Sequence, residues 1–216
     1  MRRALAAGLL ALGAAGCGSN APEVPAAFLS GESSDCGAPD YPKDGIGTET
    51  GDVAQNACFV GYRAPDRLAV SEESREVIAF SDYYDPTGSK GVGLLLINTS
   101  AIWCGACVNE HRTLPDYQRQ LGPQGLVILS TLFQDAERNG ASLPDVERWI
   151  SNFHTNFPMV ADPEVSLAKY ASPELAPLNM LVDPRSMKIL QKYVGDQGAV
   201  MWPFIEAELA ERSGSR

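Results

Sequence analysis

Two nearly continuous apolar runs are the clearest pattern in the chain. Residues 92–98 read Val-Gly-Leu-Leu-Leu-Ile-Asn, and residues 125–132 read Gly-Leu-Val-Ile-Leu-Ser-Thr-Leu. Such runs predict central strands that are covered on both faces. Shorter runs at 58–62, 76–80 and 159–161 predict three further strands.

Apolar residues at helical spacing predict the helices between and after these strands. Ser142 is a suitable N-cap for the second of the three long helices, and a short helix is predicted at 163–171. The long helices are 106–121, with Leu114, Tyr117 and Leu121 on one face; 143–156, with Val146, Trp149 and Phe153; and 201–212, with Met201, Ile205 and Leu209.

The order of the elements indicates an α/β fold. Residues 179–182 and 188–193 predict a β-hairpin around Asp183-Pro184-Arg185-Ser186, which precedes the last helix. The chain thus reads β-β, then βαβα, then ββα. Strands that alternate with helices and end in a hairpin predict a mixed central sheet with helices on both faces.

The N-terminus has the features of an export signal. Arg2 and Arg3 precede an uncharged run, residues 4–16, that is small and apolar. The run ends Ala14-Ala15-Gly16-Cys17, which resembles a bacterial lipobox, in which the cysteine is acylated and begins the mature chain. The alternative is a plain signal peptide followed by an incidental cysteine. Lipidation of Cys17 predicts a membrane-anchored protein that faces the periplasm or the cell exterior.

Composition changes along the chain, and it sets the expected domains. Residues 1–16 are the expected signal peptide, and residues 17–44, rich in Ala, Pro, Gly, Ser and Asp, are the expected flexible tether. The folded domain is expected at 45–212, followed by a tail at 213–216. The expected compartment is oxidising, so paired cysteines are favoured there.

Charge and hydropathy exclude several classes of protein. The 216-residue chain has a formal net charge of −10, and loss of Arg2 and Arg3 with the signal gives −10 − 2 = −12. This acidity argues against nucleic acid as a partner. No apolar run reaches the roughly 18–20 residues of a membrane-spanning helix.

A Cys-x-x-Cys pair, Cys104 and Cys107, stands where the first central strand leads into a helix. The helix N-terminus favours a thiolate at Cys104, and Cys107 lies one turn away. Cys104 is then positioned to attack a disulfide and Cys107 to resolve the mixed disulfide. A zinc site would need two more ligands at matching spacing, which the chain lacks. A purely structural disulfide and a chance pair in a loop are the competing interpretations.

The segment around the pair resembles the active site of a known family. Residues 94–110, Leu-Leu-Leu-Ile-Asn-Thr-Ser-Ala-Ile-Trp-Cys-Gly-Ala-Cys-Val-Asn-Glu, resemble that of thioredoxin-fold proteins, most closely the membrane-tethered TlpA/ResA redoxins. Residues 177–183, Pro-Leu-Asn-Met-Leu-Val-Asp, are similar to Pro-Thr-Thr-Phe-Leu-Ile-Asp of that family. The resemblance implies a thioredoxin-like fold with an N-terminal β-hairpin extension.

The resemblance also implies roles for particular residues. Cys104 is the attacking thiol, Cys107 the resolving thiol, and Glu110 an acid/base group near Cys107. The alternative for Glu110 is a solvent-facing position in the first turn of the helix. Pro177 matches the family's cis-proline.

Substrate contacts follow from the same resemblance. Ala176 and Pro177 shape the groove in which substrate backbone binds, and Trp103 offers a flat contact surface beside Cys104.

The chain departs from the family at Thr99-Ser100, where an aromatic pair is usual, and at Arg112, where a proline is usual.

The remaining cysteines and histidines carry weaker signals. If Cys17 is lipidated and the Cys-x-x-Cys pair forms its own bond, Cys36 and Cys58 remain and are predicted to form a structural disulfide. The alternative is a buried free thiol at Cys58 with a second redox or intermolecular site at Cys36. His111 is predicted on a helix surface and His154 at a polar position late in its helix. We expect no metal site and no cofactor.

Together these features predict an extracytoplasmic thiol–disulfide oxidoreductase. It would exchange disulfides with protein thiols or disulfides, in either direction, and act as a monomer. One alternative is a peroxiredoxin-type peroxidase, although residues 94–103 lack the proline of its Pro-x-x-x-Thr pattern. Another is a non-enzymatic binding module or metallochaperone on a thioredoxin fold.

Overall fold

A seven-stranded mixed sheet organises residues 36–214, which are the residues that the computed structural model describes. The strand order is β2-β1-β5-β4-β3-β6-β7. β3, β4 and β5 are parallel to one another, whereas β1, β2, β6 and β7 are each paired antiparallel. The strands are β1 (Cys58–Tyr62), β2 (Glu76–Ala79), β3 (Leu94–Ala101), β4 (Leu126–Gln134), β5 (Met159–Ala161), β6 (Leu178–Asp183) and β7 (Lys188–Val194).

The α-helices cover one face of the sheet. They are α1 (Gly105–His111), α2 (Leu114–Leu121), α3 (Leu143–Phe153) and α4 (Gly198–Gly214). Leu94 and Leu96 of β3 pack with Ile128 of β4 beneath α2 and α4. The opposite face, which includes Leu95 and Ile97, is covered by an N-terminal segment and by short 3-10 helices at Phe80–Tyr83 and Ser166–Lys169. The predicted mixed sheet with helices on both faces is confirmed, with the α-helices on one face and short 3-10 helices on the other.

The predicted helix at 106–121 is wrong as a single element. It is two helices, α1 and α2, separated by Arg112 and Thr113. Pro115 lies in the first turn of α2 and has no N–H to donate to the carbonyl four residues earlier. The break lets α1 end immediately after Glu110 and His111.

Most other element boundaries differ by a few residues. β3 continues three residues beyond Asn98 because Ser100 and Ala101 remain paired with β4, and the Leu178 N–H donates to Thr99 Oγ1 at 3.1 Å, which also ties β3 to β6. The helix predicted at 163–171 is a single 3-10 turn. Ser142 caps α3 as predicted, since its side chain accepts from Asp145 N–H.

The folded body begins before residue 45. Tyr41, assigned to the tether from composition, is buried, and its hydroxyl donates to the Ala54 carbonyl at 2.6 Å. Cys36 is bonded to Cys58 at the start of β1. The segment from residue 36 to 44 is therefore part of the packed domain. The predicted signal, the lipidation site Cys17 and most of the predicted tether lie outside the described residues.

The helices of the described chain are too short or too polar to span a membrane. Between residues 36 and 214, no helix combines the length and the apolar character required to cross a bilayer.

Candidate active site

The cysteine pair lies at the N-terminus of α1, beyond the carboxyl end of central strand β3. Cys104 is the N-cap residue, and the N–H of Cys107 donates to its Sγ at 3.1 Å. The two cysteines form a disulfide with a Cα–Cα distance of 5.2 Å. The N-cap position directs unpaired helix N–H groups towards Sγ, and these stabilise negative charge on sulfur once the bond is reduced.

The two sulfurs differ in their access to solvent. Cys107 is fully buried, whereas Cys104 keeps 4% of its surface exposed in the disulfide form. Gly105 is exposed, and a Cβ built there would have no atom within 4 Å. The space beside Cys104 is therefore open on its solvent side, so an attacking sulfur meets Cys104 before Cys107.

A backbone segment forms the wall opposite the cysteine pair. The Ala176–Pro177 peptide bond is cis, and the Ala176 carbonyl oxygen lies 3.5 Å from Cys104 Sγ. Ala176 also packs into the small apolar cluster that contains both cysteines and Phe133. The structure thus brings Ala176, and with it Pro177, to the sulfur of Cys104.

Trp103 forms the other side of the site and is held by three neighbours. Its Nε1 donates to Gln134 Oε1 at 2.9 Å, and its ring meets Phe133 edge-on. The Arg138 guanidinium lies 3.9 Å from the ring centroid and is also paired with Glu174 at 3.1 Å. Trp103 is half-buried, so part of its side chain remains exposed to solvent.

Val165 completes the apolar rim, in an unusual backbone conformation. Its φ is +52°, a left-handed value that is rare for a β-branched residue. The buried Asp162 carboxylate fixes this turn by accepting from the N–H groups of Ser166 and Leu167. Val165 packs in the cluster around Cys104 and Cys107.

Glu110 lies one turn after Cys107 on α1 and points under the site. It lies in the second turn rather than the first, and its carboxylate is hydrogen-bonded to buried asparagines, unlike the alternative of a solvent-facing residue in the first turn. Asn98 donates to Glu110 Oε2 at 2.8 Å, and Asn179 donates to Oε1 at 2.6 Å. The pKa of Glu110 is raised to about 7, chiefly by burial. The hydrogen bonds from Asn179 and Asn98 lower this pKa, and the negative charge of Asp196 raises it.

His111 is not on the helix surface, contrary to the prediction. It is fully buried, and its ring contacts Trp149, Phe153 and Phe157. Its Nε2 lies 3.3 Å from Thr155 Oγ1. Because α1 ends beside α3, the residue after Glu110 turns into this aromatic box. Burial lowers the pKa of His111 to about 3, so the imidazole is neutral at ordinary pH.

The second cysteine pair is bonded, at a place in the sheet that is separate from β3. Cys36 and Cys58 form a disulfide with a Cα–Cα distance of 5.9 Å. Cys58 lies at the start of β1, and β1 is three strands away from β3 in the sheet.

Within residues 36–214, no group of three or more His, Cys, Asp or Glu side chains is arranged to hold a metal ion.

Several residues of the site are not evident from the sequence. Ser130 and Asn179 read only as members of apolar strands, although a buried polar residue in such a run is itself a signal of a partner. Gln134 and Arg138 carry no comparable signal, because polar residues after a strand are common. Their contact with Trp103 follows from where β4 ends, at Gln134, and from the path of the loop that carries Arg138.

Comparisons with known proteins give the fold. No family model matches the chain, and no curated protein matches its sequence. A candidate thiol:disulfide interchange protein DsbE from Chlorobium tepidum superposes with a TM-score of 0.55 and 18% identity, over 76% of this chain and 97% of that one. A hypothetical protein from Sinorhizobium meliloti gives 0.56 and 19%, over 77% and 87%.

A third solved structure is the thioredoxin domain of a thiol-disulfide oxidoreductase from Bacteroides vulgatus. It superposes with a TM-score of 0.52 and 16% identity, over 74% of this chain and 98% of that one. Identities this low establish a shared fold and no more. The mixed sheet, the helix that follows its central strand and these similarities together show that the chain has a thioredoxin-like fold.

Proposed function

We propose that the protein is a thiol–disulfide oxidoreductase that exchanges disulfides with protein substrates through Cys104 and Cys107. The observation that carries the proposal is the position of Cys104, at the N-cap of α1 and within bonding distance of a buried partner. A sulfur there is stabilised as a thiolate, which makes it both a nucleophile and a leaving group. Two of the three similar structures bear the names of thiol–disulfide exchange proteins.

The exchange has two steps. In the reducing direction, the Cys104 thiolate attacks one sulfur of a substrate disulfide; that bond breaks, and the other substrate sulfur leaves as a thiolate. Cys107 then loses its proton and attacks Cys104 Sγ, which breaks the mixed disulfide and releases the second substrate thiolate. Two electrons pass to the substrate, whose two thiolates take up two protons. The oxidising direction is the reverse of these steps.

Glu110 is the proposed acceptor of the Cys107 proton. It lies three residues after Cys107, so both side chains are on one face of α1. Burial raises the pKa of Glu110 to about 7, which suits a group that gains and loses a proton near neutral pH. The accepted proton then returns to one of the leaving substrate thiolates, and solvent supplies the other.

The substrate segment is proposed to lie between Trp103 and the Ala176–Pro177 wall. Both flank Cys104, and the exposed Leu175 extends the apolar side of that wall. The open space at Gly105 leaves room for a protein chain rather than only a small molecule. An apolar groove with a main-chain carbonyl at its centre fits an extended peptide that contains a cysteine.

We further propose export and lipidation at Cys17, with action outside the cytoplasm. The export signal predicted at residues 1–16 and the disulfide between Cys36 and Cys58 support this location, because disulfides persist in oxidising compartments. Globomycin treatment of expressing cells, which blocks lipoprotein signal removal, should retain the precursor form. Cleavage of a non-lipidated Cys17→Ala variant to a freely released protein would support the plain signal peptide instead.

Insulin reduction with dithiothreitol as electron donor tests the enzymatic proposal. The wild type should accelerate insulin precipitation, and Cys104→Ser should not. Cys107→Ala should accumulate a covalent mixed disulfide that Cys104→Ser cannot form. Retained activity in Cys104→Ser would contradict the proposal, and so would hydrogen peroxide consumption or stoichiometric copper binding without disulfide turnover. Equilibration with glutathione then gives the direction, since a potential of about −270 mV is that of a reductant such as thioredoxin.

A further inference from the structure

A row of polar side chains crosses the apolar centre of the sheet beneath α1. Ser130 of β4 is paired in register with Asn98 of β3, which is paired in turn with Asn179 of β6. All three are fully or almost fully buried. The row ends at Glu110, which receives hydrogen bonds from both asparagines.

Every hydrogen-bonding site of the Asn98 side chain is used. Its Oδ1 accepts from Ser130 Oγ at 2.8 Å and from Ser100 Oγ at 3.1 Å. Its Nδ2 donates to Glu110 Oε2 at 2.8 Å and to Asn179 Oδ1 at 2.9 Å. A carboxamide has two acceptor sites and two donor hydrogens, so this set is complete.

The direction of the row follows from these contacts. The two serine hydroxyls donate to Asn98 Oδ1, which leaves its Nδ2 to face Glu110. Asn179 accepts from Asn98 through Oδ1, so its own Nδ2 must face the other carboxylate oxygen. All donors therefore run from the strands towards Glu110, and each of its two oxygens receives one N–H.

We propose that Ser130, Asn98 and Asn179 form a donor chain, a series of hydrogen bonds whose donors are all directed towards Glu110. This donor chain stabilises the ionised form of Glu110. In this arrangement Asn179 and Ser130 are positioning residues that act on the cysteine pair through Glu110. The inference rests on the proposed function only for its effect on exchange, because the ionisation of Glu110 is measurable in the protein without any substrate.

The physical argument is a balance between two opposing effects. A carboxylate accepts hydrogen bonds only, whereas a protonated carboxyl needs an acceptor for its own proton, and two N–H donors face it here. Burial acts in the opposite direction, and so does the negative charge of Asp196. Without the donors, Glu110 would remain protonated well above neutral pH and would not accept a proton from Cys107.

The test follows Glu110 directly, by the pH dependence of its side-chain carboxyl 13C shift in the oxidised, labelled protein. Asn179→Leu removes one donor, and the midpoint should rise by about one to two pH units. Ser130→Ala, a smaller change that releases the orientation of Asn98, should raise it less. The matched control is Thr131→Val on the same strand, because the buried Thr131 hydroxyl has no hydrogen-bond partner within the described residues.

The outcomes separate this inference from the proposed function. An unchanged midpoint in both Asn179→Leu and Ser130→Ala would overturn the donor chain, as would an equal rise in Thr131→Val. Insulin reduction by the wild type would still stand in either case. If the donor chain is correct, the pH profile of exchange should move to higher pH in parallel with the Glu110 midpoint, which is measured in the oxidised protein with no substrate present.

Discussion

The Ala176 carbonyl oxygen and Cys104 Sγ lie 3.5 Å apart, across the opening of the site. At this distance the oxygen and the sulfur are in van der Waals contact, so a group that approaches Cys104 must pass alongside Ala176. The side chain of Ala176 packs against the cysteine cluster, so a larger residue would displace that wall.

We therefore expect Ala176→Val to slow exchange roughly ten-fold or more while the protein remains folded, because a small misplacement near reacting atoms costs much of the rate. Second-order rate constants with a peptide disulfide measure the effect. The control is Ala168→Val, an exposed alanine on the neighbouring 3-10 helix. Equal rates in both variants would show that the Ala176 wall does not limit access.

The Cys36–Cys58 disulfide should contribute stability rather than activity. It joins residues 22 apart in sequence, and the loop-entropy model gives about 3 kcal/mol for a ring of this size. A Cys36→Ala, Cys58→Ala double variant should lose about that much unfolding free energy in urea. Insulin reduction should be unchanged; if instead it fell in parallel with Cys104→Ser, the second pair would belong to the exchange reaction.

His111 should make the fold sensitive to acid. Burial lowers its pKa to about 3 from the ordinary 6.5, so the unfolded chain binds the proton first as pH falls. The stability contribution is complete above pH 6.5 and declines by about 1.4 kcal/mol per pH unit as pH falls from 6.5 towards 3. His111→Phe, which suits the aromatic box, should lose this slope. His154→Asn, at the exposed end of α3, should keep it.

Glu110 should have the opposite effect on the pH dependence of stability. Burial raises its pKa to about 7 from the ordinary 4.5, so the folded protein holds a proton that the unfolded chain has released. The free energy of unfolding therefore falls by about 1.4 kcal/mol per pH unit as pH rises from 4.5 to 7, and then levels off. The difference in unfolding free energy between wild type and Glu110→Gln, measured across that range, should show this slope. A constant difference would contradict the raised pKa.

The sequence predicts the order of elements, and the place of the Cys-x-x-Cys pair between a strand and a helix, because these are local features. The strand before Cys104, the helix after it and the hairpin near the C-terminus all appear as short-range patterns of apolar residues. Even the break between α1 and α2 has a local cause in Pro115, although the apolar spacing continues on both sides of it. The fold follows from this order together with the motif.

The surroundings of the site depend on contacts between residues far apart in sequence. Asn98 and Asn179 are 81 residues apart and meet only because β3 pairs with β6 in that register. His111 shows the same limit, since a polar residue late in a helix predicts exposure unless the position of α3 is known. Periodicity identifies which face of a helix is apolar, but not which neighbour covers each residue.

The antiparallel pairing of β1 with β5 limits how far the cysteine site could lie from a membrane if Cys17 carries lipid. Since β5 is parallel to β3, the start of β1 and therefore Cys58 lie at the same edge of the sheet as the end of β3. The bond to Cys58 fixes Cys36 there too, and Cys36 follows Cys17 by 36 − 17 = 19 residues. If Cys17 carries lipid, this span of chain can extend no further than about 65 Å. The protein could then act only on partners whose disulfides lie close enough to the bilayer. The limiting distance is the length of this extended chain added to the width of the domain.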